Sequence, residues 1–404
     1  GRRASCRNGA RAMTDATIIE GDVREVLPTL DAGSVQCVIT SPPYWGLRDY
    51  GTASWEGGDS QCRHRRPAAG GNVRQGPNKG NNNAEGAPYR DLCGECGARR
   101  IDNQIGLEAT PDAYVQTLVE VFREVRRVLR DDGTVWLNLG DCYAGGASTG
   151  RNDSGRIRDG GGSGSGMTDG SDRTKIEKRH GIKPKDLVGI PWRVAFALQA
   201  DGWYLRSDIV WAKGVSFCPD YSGSVMPESV TDRPTRAHEY LFLLTKSPRY
   251  YYDADAVRET GVESGWSQQR KRGVNTWKYN DTVERIKSTG QNVEKSTLGD
   301  QATRNLRSVW TINPQPYREA HFATFPTALV DPCVKAGSTT GDLVLDPFAG
   351  SGTVGCVALK FGRRFVGIEL NPDYSRMARE SIVGPLFARH VCLASCFSML
   401  RLPL

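Results

Sequence analysis

Leu343-Val344-Leu345-Asp346-Pro347-Phe348-Ala349-Gly350-Ser351-Gly352 runs from a short apolar strand into a glycine-rich turn. A helix is expected next, over 353–361. A strand ending in such a turn brings backbone close to a ligand and aims helix N–H groups at it. Downstream, 365–370 reads as a second strand and 372–382 as a second helix, which makes a βαβα run. Glu369 falls at the end of that strand, placed to accept hydrogen bonds from ribose hydroxyls. Gly350, Gly352 and Gly355 satisfy the G-x-G-x-x-G spacing, so a dinucleotide-binding fold competes for this stretch. Two features argue against it. Only one helix and a tail follow Glu369, so the sheet must be completed by N-terminal strands. The acidic residue and proline also precede the glycines.

The N-terminal region supplies such strands. Residues 17–20 and 35–40 read as short buried strands, with an amphipathic helix at 23–30 between them. Asp22 stands where a helix N-cap is expected. Further helices are expected at 111–129, 187–200 and 325–336. Asp131-Asp132-Gly133 is expected to end the first of these. Strands are expected at 134–139, 203–211 and 240–245. Strands alternating with helices imply an α/β domain with a largely parallel sheet.

The second strand runs into Thr40-Ser41-Pro42-Pro43-Tyr44. A Pro-Pro pair offers rigid carbonyls that no helix occupies. Ser41 adds a side-chain oxygen and Tyr44 a flat apolar face. The group suits a planar amine: acceptors aimed at its hydrogens favour the tetrahedral shape that lets it attack. The blander reading is a turn that ends the strand.

The 404 residues suffice for one large domain with insertions. A net charge of +7 and a pI near 8.8 are compatible with a polyanionic partner. No apolar run is long enough to cross a bilayer, and the N-terminus lacks the apolar core of a signal peptide, so a cytoplasmic location is expected. Residues 1–12 read as a tag or a misplaced start, with Met13 as the natural one. The eleven cysteines are scattered, apart from one tight pair. That pattern fits a metal site better than a disulfide framework. Cys93 and Cys96 have the spacing of a zinc knuckle, and Cys62 and His64 are expected to complete a tetrahedral, structural zinc site. Arg63, Arg65, Arg66, Arg99 and Arg100 would then lie near phosphates.

Taken together, Asp346-Pro347-Phe348-Ala349-Gly350-Ser351-Gly352 resembles the S-adenosylmethionine-binding motif of amino-group DNA methyltransferases. The chain resembles the class in which the catalytic motif precedes the cofactor motif (the beta-class order), of bacterial or phage type. The stretches 41–51, Trp136-Leu137-Asn138-Leu139-Gly140-Asp141, Trp211-Ala212-Lys213 and 232–240 share the resemblance. It implies a Rossmann-like, seven-stranded, mostly parallel sheet with helices on both faces. It implies that Asp346, Phe348, Gly350, Ser351, Gly352 and Glu369 hold the cofactor. Phe322 and Phe325 would line its methionine side, and Asp22 its adenine. Ser41, Pro42, Pro43 and Tyr44 would present the amine of a base flipped out of double-stranded DNA. A serine before Pro-Pro-Tyr leans toward cytosine N4, an acidic residue or asparagine toward adenine N6. Methylation of a protein amide and a catalytically dead nucleic-acid-binding core are the distant alternatives. His238 and Glu239 tempt as an acid–base pair, but methyl transfer needs no strong base. They read as support for the fold or the site wall, and Trp203, Trp211 and Trp310 as core or pocket walls.

The expected layout follows. Residues 1–16 form a tail, and 17–54 the catalytic-motif part. Residues 55–105 form the zinc-binding insertion, and 106–254 continue the domain with a mobile loop at 145–180. Residues 255–310 form the target-recognition region, 311–383 the cofactor part and 384–404 a tail. A monomer or homodimer, and a cognate restriction enzyme, are the expected associations.

Overall fold

The structure, a computed structural model, describes residues 15–46, 52–65, 92–144, 182–218, 221–225, 227–260, 303–314 and 326–383. The chain opens with β1 (Ala16–Glu20), a short helix α1 (Val23–Val26) and β2 (Val35–Thr40). A small antiparallel pair, β3 (Ser54–Glu56) and β4 (Arg99–Ile101), comes next. Then follow α2 (Pro111–Val128), β5 (Leu129–Leu139), α3 (Ile190–Ala200), β6 (Tyr204–Ala212) and β7 (His238–Thr245). A second small pair, β8 (Glu259–Thr260) and β9 (Thr303–Arg304), precedes β10 (Val309–Thr311). The end is α4 (Thr327–Gly337), β11 (Leu343–Asp346), α5 (Thr353–Lys360), β12 (Arg364–Glu369) and α6 (Pro372–Val383).

Eight strands form the main sheet, in the order β1-β12-β11-β2-β5-β7-β6-β10. Seven were expected. The eighth is Val309–Thr311, which extends the edge by pairing in parallel with β6. It therefore belongs to the sheet, not to a separate recognition region ending at residue 310. β7 runs antiparallel to both its neighbours, and the remaining pairings are parallel.

β2 shows why the sheet is covered on both faces. All six of its residues are buried. Val38 packs into one apolar cluster, whereas Cys37 and Ile39 pack into another. Successive strand residues point to opposite faces, so two separate cores must exist. Val23 of α1, Leu118, Phe122 and Val125 of α2, and Val194 and Leu198 of α3 fill the first. Leu329 and Val334 of α4, Val354 and Val357 of α5, and Ile382 of α6 fill the second.

The strong amphipathic stripe of α2 buries Tyr114, Leu118, Phe122 and Val125, and Thr110 caps its N-terminus by accepting from Ala113 N at 3.1 Å. Its C-terminus differs from expectation. The helix ends at Val128 and β5 begins at once, so Asp131-Asp132-Gly133 lies within the strand. The register jumps from Val35↔Leu129 to Cys37↔Thr134, and the polar triplet is absorbed as a bulge. The short helix after Asp22 also tightens earlier than expected, into a 3-10 turn at Leu27–Thr29 that contains Pro28.

Candidate active site

The parallel strands end on one side of the sheet, as in other open α/β folds. Gly21-Asp22 follows β1, Ser41 follows β2, Pro347 follows β11 and Glu369 ends β12. Because β7 is antiparallel, its N-terminal end, with Glu239, reaches the same edge. Among the described residues these loops surround a cavity of about 410 Å³.

One end is built by the glycine turn. Gly350 and Gly352 take φ of 51° and 83°, a left-handed region that favours glycine. Glu369 fastens this turn: its Oε2 accepts from Gly350 N and its Oε1 from Asn371 N, both at 2.8 Å. Burial raises the Glu369 pKa against those two bonds. Phe348, Gly350, Ser351, Glu369 and Tyr374 line this end of the cavity. Gly352 serves as the N-cap of α5 and is not among the lining residues.

Asp346 lies beneath the turn rather than on its surface. It is 1% exposed and does not line the cavity. Its Oδ1 accepts from Thr40 Oγ1 at 2.6 Å and from Phe348 N at 3.0 Å. Burial pushes its carboxyl up to about 7, despite those bonds. Asp346 thus ties the end of β2 to the glycine turn, and any hold on a ligand passes through that turn.

Asp22 meets the helix-cap expectation. It caps α1 by accepting from Arg24 N at 2.9 Å, and it borders the cavity. Arg24 grips its carboxylate and also donates to Asn103 O at 2.7 Å. Phe322 and Phe325 lie outside the described residues.

The other end is the Ser41-Pro42-Pro43-Tyr44 turn. Pro43 O already accepts from Tyr114 OH at 2.9 Å. No backbone helix bond occupies the proline carbonyls, as expected, but a side-chain hydroxyl takes that of Pro43. Pro42 O and Ser41 Oγ remain as the acceptors from this segment. Tyr44 is anchored at its hydroxyl, which donates to Glu239 Oε2 at 2.8 Å, lies 3.0 Å from Asn138 Oδ1 and accepts from Ser41 Oγ at 3.2 Å. Burial, then the Glu239 charge, raises the Tyr44 pKa well above 10, so it stays a neutral phenol. Lys213 pairs with Glu239 and also lines the cavity.

Glu239, Lys213 and Asn138 carry more of this site than the sequence suggested. Each sat in a stretch already noted, but none announces its contacts locally. Strand alternation separates His238 from Glu239: only Glu239 lines the cavity, so the two form no acid–base pair. Trp211 lines the cavity, while Trp203 and Trp310 are buried in the two cores, as expected. Thr52 is a further lining residue, and its buried Oγ1 has no hydrogen-bond partner among the described residues. A bound polar group would satisfy it.

A cavity shared by a Pro-Pro-Tyr turn and a glycine turn unites the two motifs across some three hundred residues of sequence. Residues 35–380 match the DNA methylase family of N6 and N4 methyltransferases. The chain belongs to that family. It is an amino-group DNA methyltransferase. It is 41% identical over 372 residues to the type II methyltransferase M.Cfr9I of Citrobacter freundii, covering 92% of this chain and 89% of the relative. It is 39% identical over 371 residues to the type II methyltransferase M.SmaI of Serratia marcescens, covering 92% of each. Among solved structures, the PvuII DNA methyltransferase (cytosine-N4-specific) aligns at 16% identity with a TM-score of 0.49, covering 94% of this chain and 93% of that one.

Outside the cavity, Cys62, His64, Cys93 and Cys96 come together, with all four ligand atoms within 4.8 Å of one another. Cys62 Sγ and Cys93 Sγ are 3.6 Å apart, and Cys96 Sγ is 3.4 Å from His64 Nδ1. A tetrahedral zinc thiolate centre with bonds of about 2.3 Å needs sulfur–sulfur edges of about 3.8 Å, so the donors fit. Of the arginines expected near phosphates here, Arg100 is instead paired with Asp102 at 2.7 Å, with only 10% of its side chain exposed. Arg66, the 145–181 segment and most of 255–310 lie outside the described residues. No helix among the described residues is long and apolar enough to cross a membrane.

Proposed function

We propose that this chain is a site-specific, S-adenosylmethionine-dependent methyltransferase acting on the N4 amine of a cytosine flipped out of double-stranded DNA. The carrying observation is the single cavity bounded by Ser41-Pro42-Pro43-Tyr44 at one end and Phe348, Gly350, Ser351 and Glu369 at the other. The residues present suit the cofactor: a carboxylate near the turn for ribose hydroxyls, aromatic walls at Phe348 and Tyr374, and the orphan hydroxyl of Thr52. Bound S-adenosylmethionine supplies an electrophilic methyl group on a sulfonium.

The protein's part is positional. Pro42 O and Ser41 Oγ accept from the amine hydrogens and favour its pyramidal, nucleophilic form. Tyr44, held at its hydroxyl by Glu239, offers its ring to the base. Ser41, in place of an acidic residue, supports cytosine N4; adenine N6 is the second reading. Motif order supports the beta class. The 39–41% identity to type II enzymes supports a cognate restriction enzyme. The four-donor cluster supports a structural zinc ion, held by Cys62, His64, Cys93 and Cys96, which leave no open coordination position for chemistry.

Digestion of DNA methylated by the purified protein, followed by mass spectrometry of the nucleosides, is expected to yield N4-methylcytosine. N6-methyladenine would overturn the choice of base. Ser41→Ala is expected to lower the single-turnover rate by about 100- to 1,000-fold, the range for losing one positioned polar group, with little change in cofactor affinity. Thr52→Val keeps shape and removes the orphan hydroxyl. It is expected to weaken S-adenosylhomocysteine about tenfold in calorimetry, the effect of losing one hydrogen bond of roughly 1.4 kcal/mol, without lowering Tm. An unchanged affinity would show that the ligand does not reach Thr52.

A further inference from the structure

The zinc cluster and the cavity are joined by two short stems. Thr52 lies two residues before β3 (Ser54–Glu56), and Asn103, Gln104 and Ile105 lie just after β4 (Arg99–Ile101). All four line the cavity. β3 and β4 pair with each other over only three residues each, in the register Ser54↔Ile101, Trp55↔Arg100 and Glu56↔Arg99. An isolated pair of that length is marginal in water. The metal donors sit at the end of this pair away from the cavity. Cys62 and His64 come from the chain after β3, and Cys93 and Cys96 from the chain before β4. His64 also stacks on Trp55 of β3, with ring centroids 4.4 Å apart. Gly58 packs so closely that a Cβ there would lie 2.7 Å from Cys96 Sγ. A metal joining the four donors therefore closes the loop from one stem to the other, which the strands alone hold poorly.

The second stem is wired into the loops that bound the cavity. Asp102 pairs with Arg100 of β4 and accepts from Gln104 N at 3.2 Å. Asn103 O accepts from Arg24, the residue that grips Asp22. Gly106 O accepts from Gly46 N at 2.8 Å, and Glu108 O from Trp45 Nε1 at 2.9 Å. The 102–108 segment is thus fastened to both ends of the cavity, and its start is set by β4.

We infer that the Cys62, His64, Cys93 and Cys96 centre controls cofactor affinity, by fixing the wall formed by Thr52 and Asn103 to Ile105. This rests on the proposed zinc site and cofactor cavity and adds a coupling between them. Linkage requires the coupling to be reciprocal. In the zinc-loaded chain, saturating S-adenosylhomocysteine is expected to slow zinc transfer to a chromogenic chelator at least fivefold. Zinc-stripped protein is expected to bind S-adenosylhomocysteine at least tenfold more weakly in calorimetry, with recovery on adding zinc.

Asp102→Ala provides the control, because it cuts the link while leaving every donor and every lining side chain in place. It is expected to retain one zinc per chain and to lose the ligand-dependent slowing. Zinc bound but released at the same rate with and without S-adenosylhomocysteine would overturn the coupling and leave the metal site standing. One zinc absent from freshly purified protein would overturn the metal site itself. Failure of the zinc-loaded protein to bind S-adenosylhomocysteine would instead count against the cofactor reading.

Discussion

Asp346→Ala is expected to weaken S-adenosylhomocysteine at least tenfold and to destabilise the fold by about 2–4 kcal/mol. The carboxylate is buried and serves two partners, Thr40 Oγ1 and Phe348 N. Each buried group left without a partner costs about 1–3 kcal/mol. The loss falls at the point that ties β2 to the glycine turn, so both ends of the cavity should loosen. Calorimetric titration and denaturant unfolding measure the two effects. Wild-type affinity in the alanine variant would refute this role for Asp346.

Asp346→Asn separates shape from charge. It keeps an acceptor oxygen for Thr40 and Phe348 N. The wild-type carboxyl has its pKa raised by burial from 3.8 to about 7. The folded state therefore binds this proton more tightly than the unfolded state. Its contribution to stability is greatest below about pH 4, falls as pH rises toward 7, and is then constant. The asparagine side chain does not titrate. Relative to wild type, Asp346→Asn is expected to gain stability between pH 4 and 7, by at most about 4 kcal/mol at 1.36 kcal/mol per pKa unit. Chemical denaturation at several pH values checks this. A difference that stays flat, or falls with pH, would show that Asp346 is charged throughout.

The second large effect is expected at Gly140. A Cβ there would lie 2.5 Å from Tyr44 Cε2 and 3.0 Å from Cδ2. The ring has little freedom to retreat. Its hydroxyl is tied to Glu239, and the carbonyl beside it packs against Gly106. Gly140→Ala should therefore tilt Tyr44 into the cavity and misplace the base. A displacement of about 1 Å at a reacting site costs about 100-fold in rate, so single-turnover methyl transfer should fall by about that factor. Cofactor affinity should change much less, because Gly140 packs against Tyr44 and not against the glycine turn. The overpacking should cost about 1–3 kcal/mol of stability. A normal rate with normal stability would mean that the Tyr44 ring position is not critical.

Much of this was readable along the chain. The βαβα run around Asp346 and the apolar stripe of α2 are local patterns, and each formed within a residue or two of expectation. Asp22 was recognisable as a helix cap, because a cap acts only two or three residues away. The grouping of Cys62, His64, Cys93 and Cys96 was legible because a Cys-x-x-Cys pair and a Cys-x-His pair are local patterns suited to a common centre. Misreadings arose where a local signal met a longer-range demand. Asp131-Asp132-Gly133 is a good helix stop, yet pairing with β2 draws it into a strand as a bulge. Val309–Thr311 sits in a polar stretch, and only the open edge of β6 makes it a strand.

Residue spacing and backbone chemistry were enough to define the α/β class, the glycine turn, the Pro-Pro-Tyr turn and the grouping of Cys62, His64, Cys93 and Cys96. Each depends on neighbours within a few positions. The fold alone decided that Asp346 lies under the turn, that Tyr114 occupies the Pro43 carbonyl and that Glu239 anchors Tyr44. It also decided that the insertion's stems wall the cavity. Those outcomes depend on which strands become neighbours and which face each residue takes. Hydrogen bonds joining Thr40 to Asp346, or Tyr44 to Glu239, span about two to three hundred residues and exist only once the sheet order is set.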